Sequence, residues 1–224
     1  MIVSVHIADV GLLQVPGLLR KRPGPAEVPG LSYAEPVLTA PLGGGLFPRP
    51  QPRRVGLIAA WDDDGALDGF LAGHPVAERL SGGWHVRLEP LRVFGSWSGM
   101  PGLPTRERPV DDDEPVVALT LGRLRLGRAR PFLISAAPAE HDAVEDPAVI
   151  SSTGLARPPH LVSTFSIWRS AAAMREYAFG KDGAHQAAVR ADRARPFHHE
   201  SAFIRFRPYA SQGSWDGRDP LGTI

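Results

Sequence analysis

The sequence predicts an α+β fold made of two tandem ferredoxin-like β-α-β modules, whose antiparallel sheets stand side by side and can close a barrel with the helices outside. Three observations predict it. First, Trp61 closes a strand-like apolar run at 55–60, and Trp168 closes a second one at 161–167. Counting on from the two tryptophans, Ala66, Leu67 and Phe70 fall on Ala173, Met174 and Tyr177 without a gap. Second, each half later reaches the tripeptide Gly-Ser-Trp, at 95–97 and at 213–215. Third, each half opens on a strand-like run, at 3–8 and at 116–121.

The elements follow in chain order. After the first strand, the Pro/Gly-rich stretch 16–54 reads as a long loop or lid within the first module. The strand ending at Trp61 leads into a helix capped by the acidic run at 62–64, and Gly73-His74-Pro75 interrupts that helix. Extended chain then runs to Gly95-Ser96-Trp97. Residues 99–115, with the acidic run Asp111-Asp112-Asp113-Glu114, read as a linker solvated by its own charges. This divides the chain into a first module at 1–110 and a second at 111–224. In the second module a long connection separates the strand at 116–121 from the strand ending at Trp168. Ser170 caps the helix that follows, Gly180 to Gly183 break it, and Asp182 suits the N-cap of the next. At 199–206, His199, Ser201, Phe203 and Arg205 alternate with Glu200, Ala202, Ile204 and Phe206 in strand period.

Composition removes several classes of function. The chain has 224 residues, a formal net charge of +1 and no cysteine. That excludes disulfides, thiolate metal sites and a Cys nucleophile, and the near-zero charge argues against nucleic acid or an anionic membrane as the main partner. No apolar run approaches the ~20 residues of a membrane helix. Met1-Ile2-Val3-Ser4-Val5 has no basic n-region and reads as a strand, so a cytoplasmic protein is expected. Gly43-Gly44-Gly45 lacks the Lys-Ser/Thr of a phosphate loop, and no Gly-x-Ser-x-Gly elbow occurs.

The candidates for chemistry are histidines and arginines. His198 and Glu200, two apart on a strand, would share a face, either as part of a metal site or simply as a hydrogen-bonded pair at a sheet edge. His185 falls in the first turn of a predicted helix. With Ala188, Val189 and Asp192 it makes one stripe, flanked by small alanines that leave room beside the ring for a large flat ligand. Its imidazole reads as a proximal ligand of haem iron or as a buried, hydrogen-bonded core histidine. Arg123 with Arg125, and Arg205 with Arg207, each put two guanidinium groups on one sheet face, suited to a carboxylate or to solvent.

Val162-Ser163-Thr164-Phe165-Ser166-Ile167-Trp168, with Met174, Gly183-Ala184-His185 and Ala188-Val189-Arg190, resembles the spheroidene monooxygenases of carotenoid biosynthesis. So do Phe197, Glu200, Ala202, Arg205-Phe206 and Gly213. The likeness is dense over 160–217 and thinner over the first half. It implies a dimeric α+β-barrel and a haem-dependent oxygenase that places a hydroxyl and then a keto group on an acyclic carotenoid. It puts the iron ligand at His185, cofactor contacts at Arg190, Arg205 and Trp168, and catalytic roles at Arg205 and Glu200. With no cysteine, imidazole is the natural axial ligand. The expected partners are an apolar small molecule, a ferredoxin-like electron donor and a second copy of the chain. Two departures bear on the pocket mouth: Arg169-Ser170 stands where the family has Pro-Asp, and residues 195–199 replace an acidic-aromatic segment. Other readings are a cofactor-free oxygenase or haem dehydratase of the same fold, and a non-catalytic ligand-binding module.

Overall fold

Eight strands, each antiparallel to its neighbours, close into a barrel in a computed structural model of the chain. The structure describes residues 1–43, 49–180 and 183–222, and the side chain of His185 lies outside that description. The first half comprises β1 (Ile2–Asp9), α1 (Val15–Arg20), β2 (Leu31–Ala40), β3 (Arg54–Trp61), α2 (Asp64–Gly73), α3 (Pro75–Leu80) and β4 (Trp84–Gly95). The second comprises β5 (Val116–Leu124), α4 (Ala129–Glu145), β6 (Val149–Arg157), β7 (Leu161–Trp168), α5 (Ala171–Phe179), α6 (Ala184–Ala194) and β8 (His198–Gly213). Around the barrel the strands run β1-β3-β2-β6-β7-β5-β8-β4, so each half contributes its own four strands in the same order. The halves meet at two seams, β4 against β8 over most of their length and β2 against β6 over Leu38–Ala40.

Strand alternation sorts the side chains into two layers. Val3, Val5 and Ile7 of β1, Val117, Leu119 and Leu121 of β5, and Ala202, Ile204 and Phe206 of β8 are buried together inside the barrel. The two Gly-Ser-Trp repeats close it. Trp97 packs edge-on to Tyr33 at one end, while Trp215 meets Trp84 and Phe165 at the other. Gly95 and Gly213, with φ of 83° and 94°, make the left-handed turns that send both tryptophans inward.

The outer faces carry the helices. The capping expectations hold: Asp63 accepts from the backbone N–H of Ala66, and Ser170 from that of Ala173. α2 ends at Gly73 before α3 starts at Pro75. The N-cap of α6 is Gly183, and Asp182 lies outside the described residues.

Three expectations need correction. The stretch 16–54 is not one loop, because it contains most of α1 and the seam strand β2. Pro36 hides that strand in the sequence, and it is tolerated because β6 reaches β2 only from Leu38 onward. The connection before β7 contains α4 and β6. α4 gives no start or stop signal: it lacks a side-chain cap, holds Pro138 inside, and places Glu145 against the unfavourable end of its dipole. The acidic run at 111–114 does more than solvate a linker. The carbonyls of Asp112 and Glu114 accept the first N–H groups of α5, and the Glu114 side chain pairs with Arg207 at 3.0 Å.

Candidate active site

Register makes the two halves comparable position by position. Trp61 stands opposite Ile2 as Trp168 stands opposite Val116, so His6 corresponds to Thr120, Ala8 to Gly122, Leu57 to Thr164 and Ala59 to Ser166. In the first half the larger side chains pack beneath α2 and α3 with Leu67, Phe70 and Leu80. In the second half small residues leave the sheet floor low. A cavity of two adjoining lobes, about 130 and 160 Å³, lies between that floor and α4, α5 and α6. Thr120, Thr164, Phe132, Glu140 and Leu42 line both lobes. Concave, mainly apolar space with a few polar groups is the ordinary form of a small-molecule site.

The polar groups have definite positions. Glu140 projects from α4, and burial raises its carboxyl pKa against the opposing hydrogen bond from the backbone N–H of Gly43. His198 lines the first lobe, edge-on to Phe132 with ring centroids 5.1 Å apart. Its Nδ1 is 3.4 Å from Oδ1 of Asp192, the same oxygen that accepts from the backbone N–H of Phe197 at 2.8 Å. Burial holds this imidazole below its usual pKa although the Asp192 charge pulls the other way. Gly122 makes room for the ring, since a Cβ there would lie 2.6 Å from Nε2.

His198 and Glu200 do not share a face. A β-bulge between the Arg123–Glu200 and Leu124–His198 pairs turns His198 onto the outer, cavity side. Glu200 goes to the barrel rim, where it pairs with Arg123 at 2.9 Å and accepts from Ser98. Arg123 also lies 4.8 Å from the Trp97 ring centroid. Arg125 lies beyond the end of β5 and donates to the carbonyl of His198 instead. Arg205 and Arg207 face outward under the linker. Arg205, 1% exposed, meets Glu107 at 2.9 Å, and Arg207 joins Glu89 and Glu114. Arg205 and Glu200 are absent from the cavity lining.

Trp168 lines the second lobe, with its indole N–H on Ser166 Oγ and its ring 5.0 Å from Tyr177. Arg190 is exposed on α6. Position 185 is the second residue of α6, one turn before Ala188, which lines the second lobe. Gly44 and Gly45 of the glycine run lie outside the described residues. Sequence reasoning did not single out Phe132 or Glu140, and it placed Asp192 on a stripe with His185 rather than beside His198. The stripe Phe132, Ala136, Ala139, Glu140 and Ala143 at helical spacing was the available signal for the α4 wall. Among the described residues no cluster of three or more His, Asp or Glu side chains could hold a metal, and no helix is long and apolar enough to cross a membrane.

No protein-family model matches the chain. Individual proteins do. It is 34% identical over 192 residues to the spheroidene monooxygenase of Rhodobacter capsulatus, covering 81% of this chain and 77% of the relative. Against that of Rubrivivax gelatinosus it is 35% identical over 195 residues, covering 85% and 73%. The chain belongs to the spheroidene monooxygenase family. It is therefore an oxidoreductase, and the resemblance read from residues 160–217 extends over most of its length. An aldoxime dehydratase solved in complex with butyraldoxime superposes with a TM-score of 0.53 at 9% identity, covering 100% of this chain and 85% of that one, which shows the shared barrel fold.

Proposed function

We propose that this spheroidene monooxygenase relative is a haem-dependent monooxygenase acting on an apolar substrate of the acyclic carotenoid type, with both groups held in the second-half cavity. The observation that carries the proposal is the asymmetry of the halves. Small floor residues replace His6 and Leu57 with Thr120 and Thr164, opening space between a flat sheet and three helices. The flat floor beneath the helices supports a planar ligand. His185, second residue of the helix that contributes Ala188 to the wall, is the proposed axial ligand. Haem supplies the activation of molecular oxygen, and the protein supplies the binding, orientation and dry surroundings.

The chain's own residues have separable tasks. Phe132, Leu133, Val162 and Phe203 exclude water and offer apolar contact to a hydrocarbon chain. His198 turns Nε2 toward the cavity floor beside Gly122, where the ring is placed to hydrogen-bond a bound ligand. Glu140 holds its carboxyl proton to a higher pH than an exposed glutamate, which makes it the proton donor of the lining. Arg205 and Glu200, tied to Glu107 and Arg123, hold the linker and the barrel rim and are positioning residues. The altered segment 195–199 favours a second reading, in which His198 serves an oxygenase of the same fold that needs no haem.

One experiment separates the two readings. The purified protein is titrated with haemin and then given an acyclic carotenoid, a ferredoxin reducing system and isotopically labelled oxygen. The proposal predicts a Soret band that is lost or shifted in His185→Ala, and label in a product hydroxyl or keto group. Labelled product without any haemin would support the second reading and reject the first.

A further inference from the structure

Ten of the 23 arginines meet a carboxylate: Arg22, Arg54, Arg87, Arg92, Arg108, Arg123, Arg157, Arg175, Arg205 and Arg207. Of the others, six are gathered on one face of a chain whose net charge is only +1. Among the described residues, Arg125, Arg128 and Arg130 at the start of α4, and Arg190, Arg193 and Arg195 at the end of α6, form no ion pair. Two hydrogen bonds bring the groups to one side of the molecule: Arg128 donates to the carbonyl of Arg195 at 3.3 Å, and Arg125 to that of His198 at 3.0 Å. Asp192, the acid between them, is turned inward to His198 and the Phe197 N–H.

The same side exposes aliphatic side chains. Leu126 is 55% and Ile134 50% exposed. Between α4 and α6 runs an open groove of about 520 Å³, lined by Arg128, Arg130, Ile134, Ala191 and Phe197. Its floor leads inward. The ring of Phe197 is 6.1 Å from that of Phe132, and Phe132 lines both lobes of the cavity. A single aromatic layer therefore separates the groove from the cavity.

We propose that this arginine-rimmed face docks on an anionic lipid surface, with Leu126 and Ile134 entering the interface and the groove admitting an apolar substrate from the bilayer. Guanidinium groups without acidic partners match lipid phosphates, and exposed aliphatics among them match the acyl boundary. A single-stranded nucleic acid would call for stacking aromatics on the face, whereas Phe197 is buried, and a duplex offers no apolar layer for Leu126 and Ile134 to enter. The proposal rests on the apolar-substrate reading, but docking is measurable without haem or turnover.

The test is flotation of the whole protein, without added haemin, with vesicles of phosphatidylcholine alone or doped with phosphatidylglycerol. Binding is expected to the anionic vesicles and to weaken at high salt. At roughly fivefold per arginine, the triple variant Arg130→Ser/Arg193→Ser/Arg195→Ser should bind about a hundredfold more weakly. Leu126→Ser should also bind less, and far-ultraviolet circular dichroism melts should show each variant folded. Failure of the wild type to float with anionic vesicles would overturn the proposal. So would undiminished binding by the folded triple variant, or capture of a DNA duplex in place of vesicles. Separate haemin titrations distinguish the claims: vesicle binding without haemin uptake removes the haem reading and leaves the docking face standing.

Discussion

Gly122 shows how much of the cavity depends on a missing atom. A methyl group there would meet Cδ2 of His198 at 2.5 Å, and the ring already packs edge-on against Phe132. Gly122→Ala should therefore cost about 1–3 kcal/mol by overpacking, read as a lower denaturant midpoint, and should weaken haemin binding as His198 is displaced into the cavity. Gly127→Ala, which meets nothing within 4 Å, is the matched control and should leave both unchanged. Of the cavity floor the sequence singled out Trp168 alone, although Thr164 and Ser166 lie in the same stretch that carries the family likeness. The position of His198 was not legible. Period-2 alternation paired it with Glu200, and only the bulge in β8 separates them. A bulge is a property of strand pairing, invisible in one strand's own pattern.

At the scale of elements, β1 shows what the hollow half lacks. Its outer face puts Ser4 and His6 beneath α2, where Trp61 donates to Ser4 Oγ at 2.9 Å and Ser4 Oγ lies 3.0 Å from His6 Nε2. His6 is 2% exposed, edge-on to Phe70 and stacked on His85. Burial, then the nearby His85 and Arg87 charges, holds its pKa down to about 3. A histidine that stays neutral when folded but charges when unfolded stabilises the fold fully above its unfolded pKa. That stability is lost as the pH falls from about 6.5 toward 3, at up to about 1.4 kcal/mol per pH unit. Urea midpoints should fall over this window, and His6→Phe should flatten the dependence; an unchanged acid limb would reject the assignment. Element existence was well legible where caps and apolar runs agreed, as for β3 with α2 and β7 with α5. It failed for β2 and α4, where Pro36 and Pro138 contradict the local pattern and tertiary pairing prevails.

At the scale of the molecule, one closed barrel serves two different outer layers. The interior is plugged by Trp97 and Trp215 and packed between them, so the mainly apolar two-lobed cavity lies outside the barrel over the second half, while the first half carries a smaller, more polar cleft beside His6 and His85. Corresponding positions carry larger side chains beneath α2 and α3 and smaller ones beneath α4, α5 and α6, and the proposed ligand site follows from that difference. Restoring bulk to the second half tests it. The measurement is a haemin titration followed by absorption spectroscopy, comparing the natural chain with Thr120→Leu/Thr164→Leu, which refills the floor where the first half carries His6 and Leu57. A Soret band is expected for the natural chain and none for the variant, with the variant's thermal midpoint equal or higher. An equally strong Soret band in the folded variant would contradict it.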